Sequence, residues 1–272
     1  MPTTPPGPAA SPAEARLRAW GAEPTGESWT TPSSWLAAGV RDGTAVIAKV
    51  ARIEEEARGG RLLAWWSANG GLPVLEHDDS AVLMARATGA KDLVAWSTAG
   101  RDDEAIDALV DVALGLHAMP APPASVGLVP LPSWFRDLVG RPQSDPLLDR
   151  TATLARDLLA EEGRVVALHG DVHHGNVLDL GERWAAIDPK GLAGHPAFDL
   201  ANLFCNPTEA VAVQRLDARF ERVAERARLA PGLLAGWVAA WCGLSLAWSR
   251  GVPDWHDRAA REVAIRLLPR AR

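Results

Sequence analysis

The stretch Arg164–Asp188 reads R-V-V-A-L-H-G-D-V-H-H-G-N-V-L-D-L-G-E-R-W-A-A-I-D. Val165-Val166-Ala167-Leu168 is a short, apolar, β-branched run, which predicts a buried strand that stops at a polar loop opening with His169. Val177-Leu178 and Trp184-Ala185-Ala186-Ile187 predict the two strands of a small hairpin, joined through Asp179 to Arg183 with Gly181 at the turn. Asn176 then stands at the entry of the hairpin and Asp188 at its exit. If the strands pair, an amide oxygen and a carboxylate meet beside Asp171, although 12 residues separate Asn176 from Asp188. Hard oxygen donors converging in this way suit Mg²⁺, which takes one or two protein groups and leaves its other positions to water and phosphate. The natural partner of such a site is a nucleoside triphosphate.

The pattern H-G-D-x-x-x-x-N followed by an aspartate resembles the protein-kinase catalytic loop H-R-D-x-x-x-x-N. Glycine in place of arginine, together with I-D-P-K-G and G-H-P-A-F-D-L-A downstream, brings the resemblance closer to the aminoglycoside phosphotransferases. The run Asp188 to Pro207, D-P-K-G-L-A-G-H-P-A-F-D-L-A-N-L-F-C-N-P, is most similar to the streptomycin 6-phosphotransferase and hydroxyurea phosphotransferase branch.

This resemblance implies a protein-kinase-like α+β fold of two lobes. An N-terminal antiparallel sheet with a helix, residues 1–87, would bind the nucleotide, and a mostly helical lobe, residues 88–272, would carry the metal-site hairpin and the acceptor. ATP and Mg²⁺ are the implied cofactors, and a cationic aminoglycoside is the implied partner of a monomeric enzyme. By the same resemblance Asp171 is the base and Asn176 and Asp188 hold the metal. His169 and His173 support the loop, and Asp199 is the buried aspartate that hydrogen-bonds it. The strand leaving at Met84 becomes the hinge, with Met84 behind the adenine pocket and backbone groups of Ala85 and Ala87 at the adenine edge. His117, ending a helix in L-G-L-H-A-M-P, is read as a packed or capping histidine.

Upstream, Ser34–Val40 and Thr44–Val50 are apolar runs joined by Arg41-Asp42-Gly43, a strong hairpin signal. Alternation places Ala45, Ile47 and Lys49 on one face of the second strand, where a cation is costly unless anions meet it. Of 28 basic residues only three are lysine, Lys49, Lys91 and Lys190, so arginine is this chain's ordinary surface cation. An acidic run, Glu54-Glu55-Glu56, opens the next helix, where it suits the helix dipole. In the kinase resemblance one glutamate of that helix pairs with Lys49 and fixes it against the phosphates. Glu56 is the choice, seven residues before Leu63 on the inward stripe, with Glu55 next. No G-x-G-x-x-G or Walker A motif occurs, and the stretches 30–34 and 40–44 are the candidates for covering the phosphates.

Helices are expected over 13–20, 54–68, 103–119 and 145–162, and near 196–204, 209–229, 231–248 and 254–268. Strands are expected from Trp29 on and around 72–76 and 81–85, with a disordered proline-rich opening through about residue 12. A net charge of -6 disfavours a nucleic-acid partner and is compatible with a cationic one. Two cysteines without metal spacing fit a reducing cytoplasm. The N-terminus lacks the pattern of a signal peptide, and no run of about 18 apolar residues is expected to span a membrane.

Other readings are a kinase of another small alcohol or of a hydroxyurea-like compound, and a nucleotide-binding module without turnover. The histidines near carboxylates also raise a zinc or di-iron hydrolase, which would leave Asn176 and Lys49 unexplained. Glu209, Asp217, Asp254, Asp257 and Glu262 are candidate partners for a guanidinium or ammonium group of the acceptor, weighed against ordinary solvated surface.

Overall fold

The computed structural model describes residues 11–249 and 254–271. The expected disorder of the proline-rich opening therefore falls, through residue 10, outside the described residues. The chain forms two compact units, one ending at Thr88 and the other beginning at Gly89.

In the first unit α1 (Pro12–Ala19) starts at a capping box. The Ser11 hydroxyl accepts from the Glu14 amide at 3.2 Å, and the Glu14 carboxylate accepts from the Ser11 amide at 3.1 Å. Strands β1 (Glu23–Thr30), β2 (Ser34–Arg41), β3 (Thr44–Ala51), β4 (Val74–His77) and β5 (Ala81–Ala85) form an antiparallel sheet in the order β1-β2-β3-β5-β4. The β2–β3 turn is the expected Asp42-Gly43, with both residues at positive φ, 51° and 77°. Strand β1 begins six residues before the expected start at Trp29. Its sequence, E-P-T-G-E-S-W-T, is almost wholly exposed, so no alternation announces it.

Two helices cover the two faces of this sheet. Ala13 and Leu17 of α1 pack with Ala37, Val46, Ala48, Val50 and Leu83. The opposite face carries Ile47, Lys49, Val82 and Met84, and α2 (Glu54–Ser67) lies on it with Leu62, Leu63 and Trp66 buried. A Cβ added at Gly60 would stand 3.1 Å from Val82, which shows how closely this helix approaches. Burying each of the three large side chains contributes roughly 1.5–3 kcal/mol.

The second unit begins with α3 (Leu93–Thr98) and α4 (Asp102–His117). Then come β6 (Val129–Pro130), two single turns α5 (Leu131–Trp134) and α6 (Arg136–Val139), and α7 (Pro146–Ala160), capped by Asp145. Strands β7 (Val166–Leu168) and β10 (Leu192–Gly194) pair antiparallel, and β6 joins β10 in parallel. Between them lies the hairpin of β8 (Val177–Asp179) and β9 (Trp184–Ala186), with Gly181 at φ 95° in its turn. Helices α8 (Glu209–Gln214), α9 (Leu216–Ala227), α10 (Pro231–Trp248) and α11 (Trp255–Leu267) complete it.

Several expectations are corrected here. The segment 196–204 is two 3-10 pieces, Pro196–Leu200 and Asn202–Cys205, rather than one helix. The helix expected over 209–229 breaks at Arg215 into α8 and α9. Helix α10 is by length and composition apolar enough to cross a membrane, with mean hydropathy 1.3 over 18 residues, contrary to the expectation that no such run occurs. Glycines and a serine dilute that run in the sequence. In the structure α10 is the core helix of its unit, wrapped by α7, α11 and the 3-10 pieces. Within that core the Cys242 sulfur lies 3.6 Å from Cys205, and both thiols are free and fully buried.

Helices α4 and α9 are joined by arginine–aspartate rungs. Asp103, Asp107 and Asp111, one turn apart on α4, meet Arg215, Arg222 and Arg226. Above them Arg219 and Asp102 pair where neither side chain is more than 1% exposed.

Candidate active site

Strand β7 delivers His169, Gly170 and Asp171 into a loop whose backbone is held by one carboxylate. Asp199, buried on its 3-10 turn, accepts from the His169 amide at 2.8 Å and from the Gly170 amide at 2.7 Å, and faces His117 Nε2 at 2.8 Å. His117 is thus the packed histidine that the sequence suggests. Gly170 has φ 86°, and a Cβ there would stand 2.8 Å from the Leu192 side chain, so the arginine of the kinase motif would be strained and would press on Leu192 at this position.

His169 bridges loop and hairpin. Its Nδ1 accepts from the Asp171 amide at 3.2 Å, which leaves the proton on Nε2 to be donated to the Ile187 carbonyl at 2.7 Å. Burial pushes its pKa down against the pull of Asp199 and Asp171, so the ring is neutral at neutral pH. The Ile187 amide in turn donates to the Asn176 carbonyl at 2.8 Å, which fixes the start of the hairpin beside its end. Asp188 follows at φ 66°, a conformation uncommon for a residue with a side chain.

The Asp171 carboxylate is gripped from two sides. Asn176 Nδ2 donates to its Oδ2 at 3.1 Å and to its backbone carbonyl at 3.0 Å. Asn202 Nδ2 donates to its Oδ1 at 2.6 Å. His173 is held by the Gly175 amide on Nδ1, and its Nε2 stands 3.9 Å from Asp171 Oδ1. Burial lowers its pKa as well. With its nitrogen committed to Asp171, the Asn176 amide keeps its carbonyl oxygen as a hard donor, and Asp188 adds a carboxylate. This donor set fits Mg²⁺. Among the described residues no group of three or more histidine, cysteine, aspartate or glutamate side chains could hold a metal.

In the first unit Lys49 forms an ion pair with Glu56, at 11% and 7% side-chain exposure. The glutamate in this pair is Glu56, the one expected from the inward stripe of the helix. Met84 is buried opposite Ile47. At this edge the Ala85 N–H is already taken by the Pro73 carbonyl at 2.9 Å, while the Ala87 N–H has no backbone acceptor among the described residues. Of the two candidate phosphate covers, 40–44 is the tight β2–β3 turn. In 30–34 the Ser33 and Ser34 amides both point at the Thr31 hydroxyl, at 3.3 and 2.9 Å.

Most of the acidic acceptor candidates have partners within their own unit. Glu209 pairs with Arg258 and Asp217 with Arg266 and Arg270, each at 2.7 Å, while Asp254 and Asp257 form the capping box of α11. Sequence reasoning also passed over residues that the structure brings into play. Asn202, three residues after Asp199, is the foremost, and its spacing on one face of a tight turn was the available signal. Asn206, Arg219 and Asp102 stand behind it.

The model of the aminoglycoside/hydroxyurea antibiotic resistance kinases matches residues 19–252. A streptomycin 3''-kinase of Klebsiella pneumoniae is 42% identical over 90% of this chain and 95% of its own length. A streptomycin 6-kinase of Streptomyces griseus is 32% identical over 73% and 69%. Among solved structures an amicoumacin kinase, in complex with AMP-PNP, Ca²⁺ and Ami, superposes with a TM-score of 0.63 at 12% identity, covering 94% of this chain and 92% of that one. The shared fold is the protein-kinase-like one.

Proposed function

The chain belongs to the aminoglycoside/hydroxyurea antibiotic resistance kinase family, and from that membership we propose that it moves the γ-phosphate of ATP to a hydroxyl of a streptomycin-like aminoglycoside in the cytoplasm. The observation that carries the reading is the Asp171 carboxylate, fixed by two amides in a loop that Asp199 braces through two backbone N–H groups. Phosphoryl transfer asks little covalent chemistry of a protein, so positioning and charge supply the rate.

In this reading Asp171 orients the acceptor hydroxyl and accepts its proton as the phosphoryl group arrives. Asn176 and Asp188 hold the metal, and Lys49, anchored by Glu56, meets phosphate oxygens as a compact point charge. Mg²⁺, when bound, neutralises charge on the phosphate oxygens. Met84, Ala85 and Ala87 line the adenine end. His169 and His173 keep the loop in place as neutral rings. The higher identity to the 3''-kinase than to the 6-kinase favours the 3''-hydroxyl as the acceptor position.

The test is purified protein with Mg-ATP and a panel of streptomycin, other aminoglycosides and hydroxyurea, with the product's phosphate located by NMR. Streptomycin-dependent ADP release is expected. Asp171→Asn should keep the fold and nucleotide affinity while kcat falls by a factor on the order of 10² or more. Turnover of that variant within about threefold of the parent would take Asp171 out of the role.

A further inference from the structure

We infer that Asn202 is a positioning residue for the catalytic base, the second of two amides that aim the Asp171 carboxylate, and that its own orientation is imposed from the buried Arg219–Asp102 pair. The inference rests on the reading of Asp171 as the base.

The argument starts from which way the Asn202 amide faces. Asn206 Nδ2 donates to Asn202 Oδ1 at 2.9 Å and to the Asn202 carbonyl at 3.2 Å. An Nδ2 can only donate, so the Asn202 oxygen must face Asn206 and its nitrogen must face Asp171, where it stands 2.6 Å from Oδ1. Asn202 and Asn206 are both buried, at 5% and 9% exposure, so water has little access to compete for these groups.

The segment that carries Asn202 is clamped in turn. Arg219 donates through Nη1 to the carbonyls of Leu203 and Asn206, at 2.9 and 2.6 Å. Its other donors are taken by Asp102, at 2.9 and 2.6 Å, and by the Ser97 hydroxyl at 3.2 Å. The guanidinium's fixed fork thus sets the backbone on both sides of Cys205, and Asn206 sets the amide. Asn176 reaches the other carboxylate oxygen, Oδ2. One carboxylate with a donor on each oxygen loses its freedom to rotate about χ2, and an oriented base is what in-line transfer to a hydroxyl requires.

Asn202→Ala removes the donor, and Asn202→Asp keeps the shape and the acceptor for Asn206 while replacing the donor that faces Asp171 by a carboxylate oxygen that repels it. Both variants are expected to lose about 10- to 100-fold in kcat with KM for nucleotide and acceptor within about twofold, because neither touches a substrate. In an Asp171→Asn background, Asn202→Ala should cost less than about threefold more, since residues that act through one another are not additive. An Asn202→Asp enzyme with parental kcat would overturn the inference, as would a full further loss in the Asp171→Asn background or a KM effect without a kcat effect. The two readings fail separately: an active Asp171→Asn enzyme sinks the base, whereas an inactive Asp171→Asn beside a fully active Asn202→Ala sinks only Asn202.

Discussion

Arg219 lies against Asp102 with both carboxylate oxygens hydrogen-bonded to its guanidinium, and neither side chain reaches solvent. The pair differs from the rungs below it on α4 and α9, which are a third or more exposed on the arginine side. Removing one partner of a buried pair leaves an uncompensated charge, whereas an exposed pair contributes little. Arg219→Met is expected to destabilise the protein by about 3–5 kcal/mol, and Arg226→Ala by less than about 1 kcal/mol. Urea unfolding of the two variants checks this, and equal midpoints would contradict it.

Lysine is rare in this chain, and the one at position 49 is paired with Glu56 on a covered face of the sheet. Lys49→Arg keeps the charge but replaces a compact ammonium by a planar fork that needs more room. Most activity should be lost in Lys49→Arg, at least as much in Lys49→Ala, and less in Glu56→Gln. Steady-state kinetics on the three variants decides. An active Lys49→Arg with normal ATP dependence would make Lys49 an ordinary strand residue.

Asp188 carries the carboxylate of the proposed metal site at the exit of the hairpin. Asp188→Ala should abolish the rise in Tm that Mg-ATP gives the parent, because a ligand stabilises only in proportion to its binding. Removing Mg²⁺ with a chelator should do the same to the parent. A variant that still gains the full Mg-ATP shift shows that the metal is held elsewhere.

His174 is buried, and neither of its ring nitrogens has a hydrogen-bond partner in the protein. Burial first, and then the charge of Arg219, lower its pKa to about 3, against an opposing pull from Asp102. The unfolded chain protonates this ring near 6.5, so between about 3 and 6.5 the unfolded state binds more protons. Stability is therefore complete above about 6.5 and declines as pH falls, on the order of 2 kcal/mol from this group at pH 5. Burial lowers His169 and His173 in the same direction. Tm measured from pH 7.5 to 5 should drop, and His174→Leu should make the slope shallower. An unchanged slope would assign the proton uptake to other groups.

How much could be read beforehand depended on whether the signal was local. The strand, loop and hairpin around Asp171 are announced by short apolar runs and their punctuation, and β7, β8 and β9 fall within a residue or two of the expected limits. The Lys49–Glu56 pair came from the kinase resemblance, with a period of two placing Lys49 on the strand and the inward stripe of the helix choosing Glu56. The first six residues of strand β1 were missed because an exposed edge needs no alternation. The Asn202 contact was missed for a different reason: donor and acceptor are 31 residues apart, and only the turn at Asp199 brings them together. Arg219 and Asp102 are 117 residues apart, and each looks in the sequence like one more surface charge.

The two thiols inside the α10 core offer a clock for the opening of this region. Burial, together with the neighbouring sulfur, raises the pKa of Cys242 well above that of an ordinary thiol, so in the closed state almost no thiolate is present to react. Cys205 shares its 3-10 turn with Asn202. An alkylating reagent reaches either sulfur only when α10 and that turn part, and the labelling rate then counts those excursions one molecule at a time. A substrate that quiets the turn would be seen as slower alkylation, with no turnover needed to reveal it.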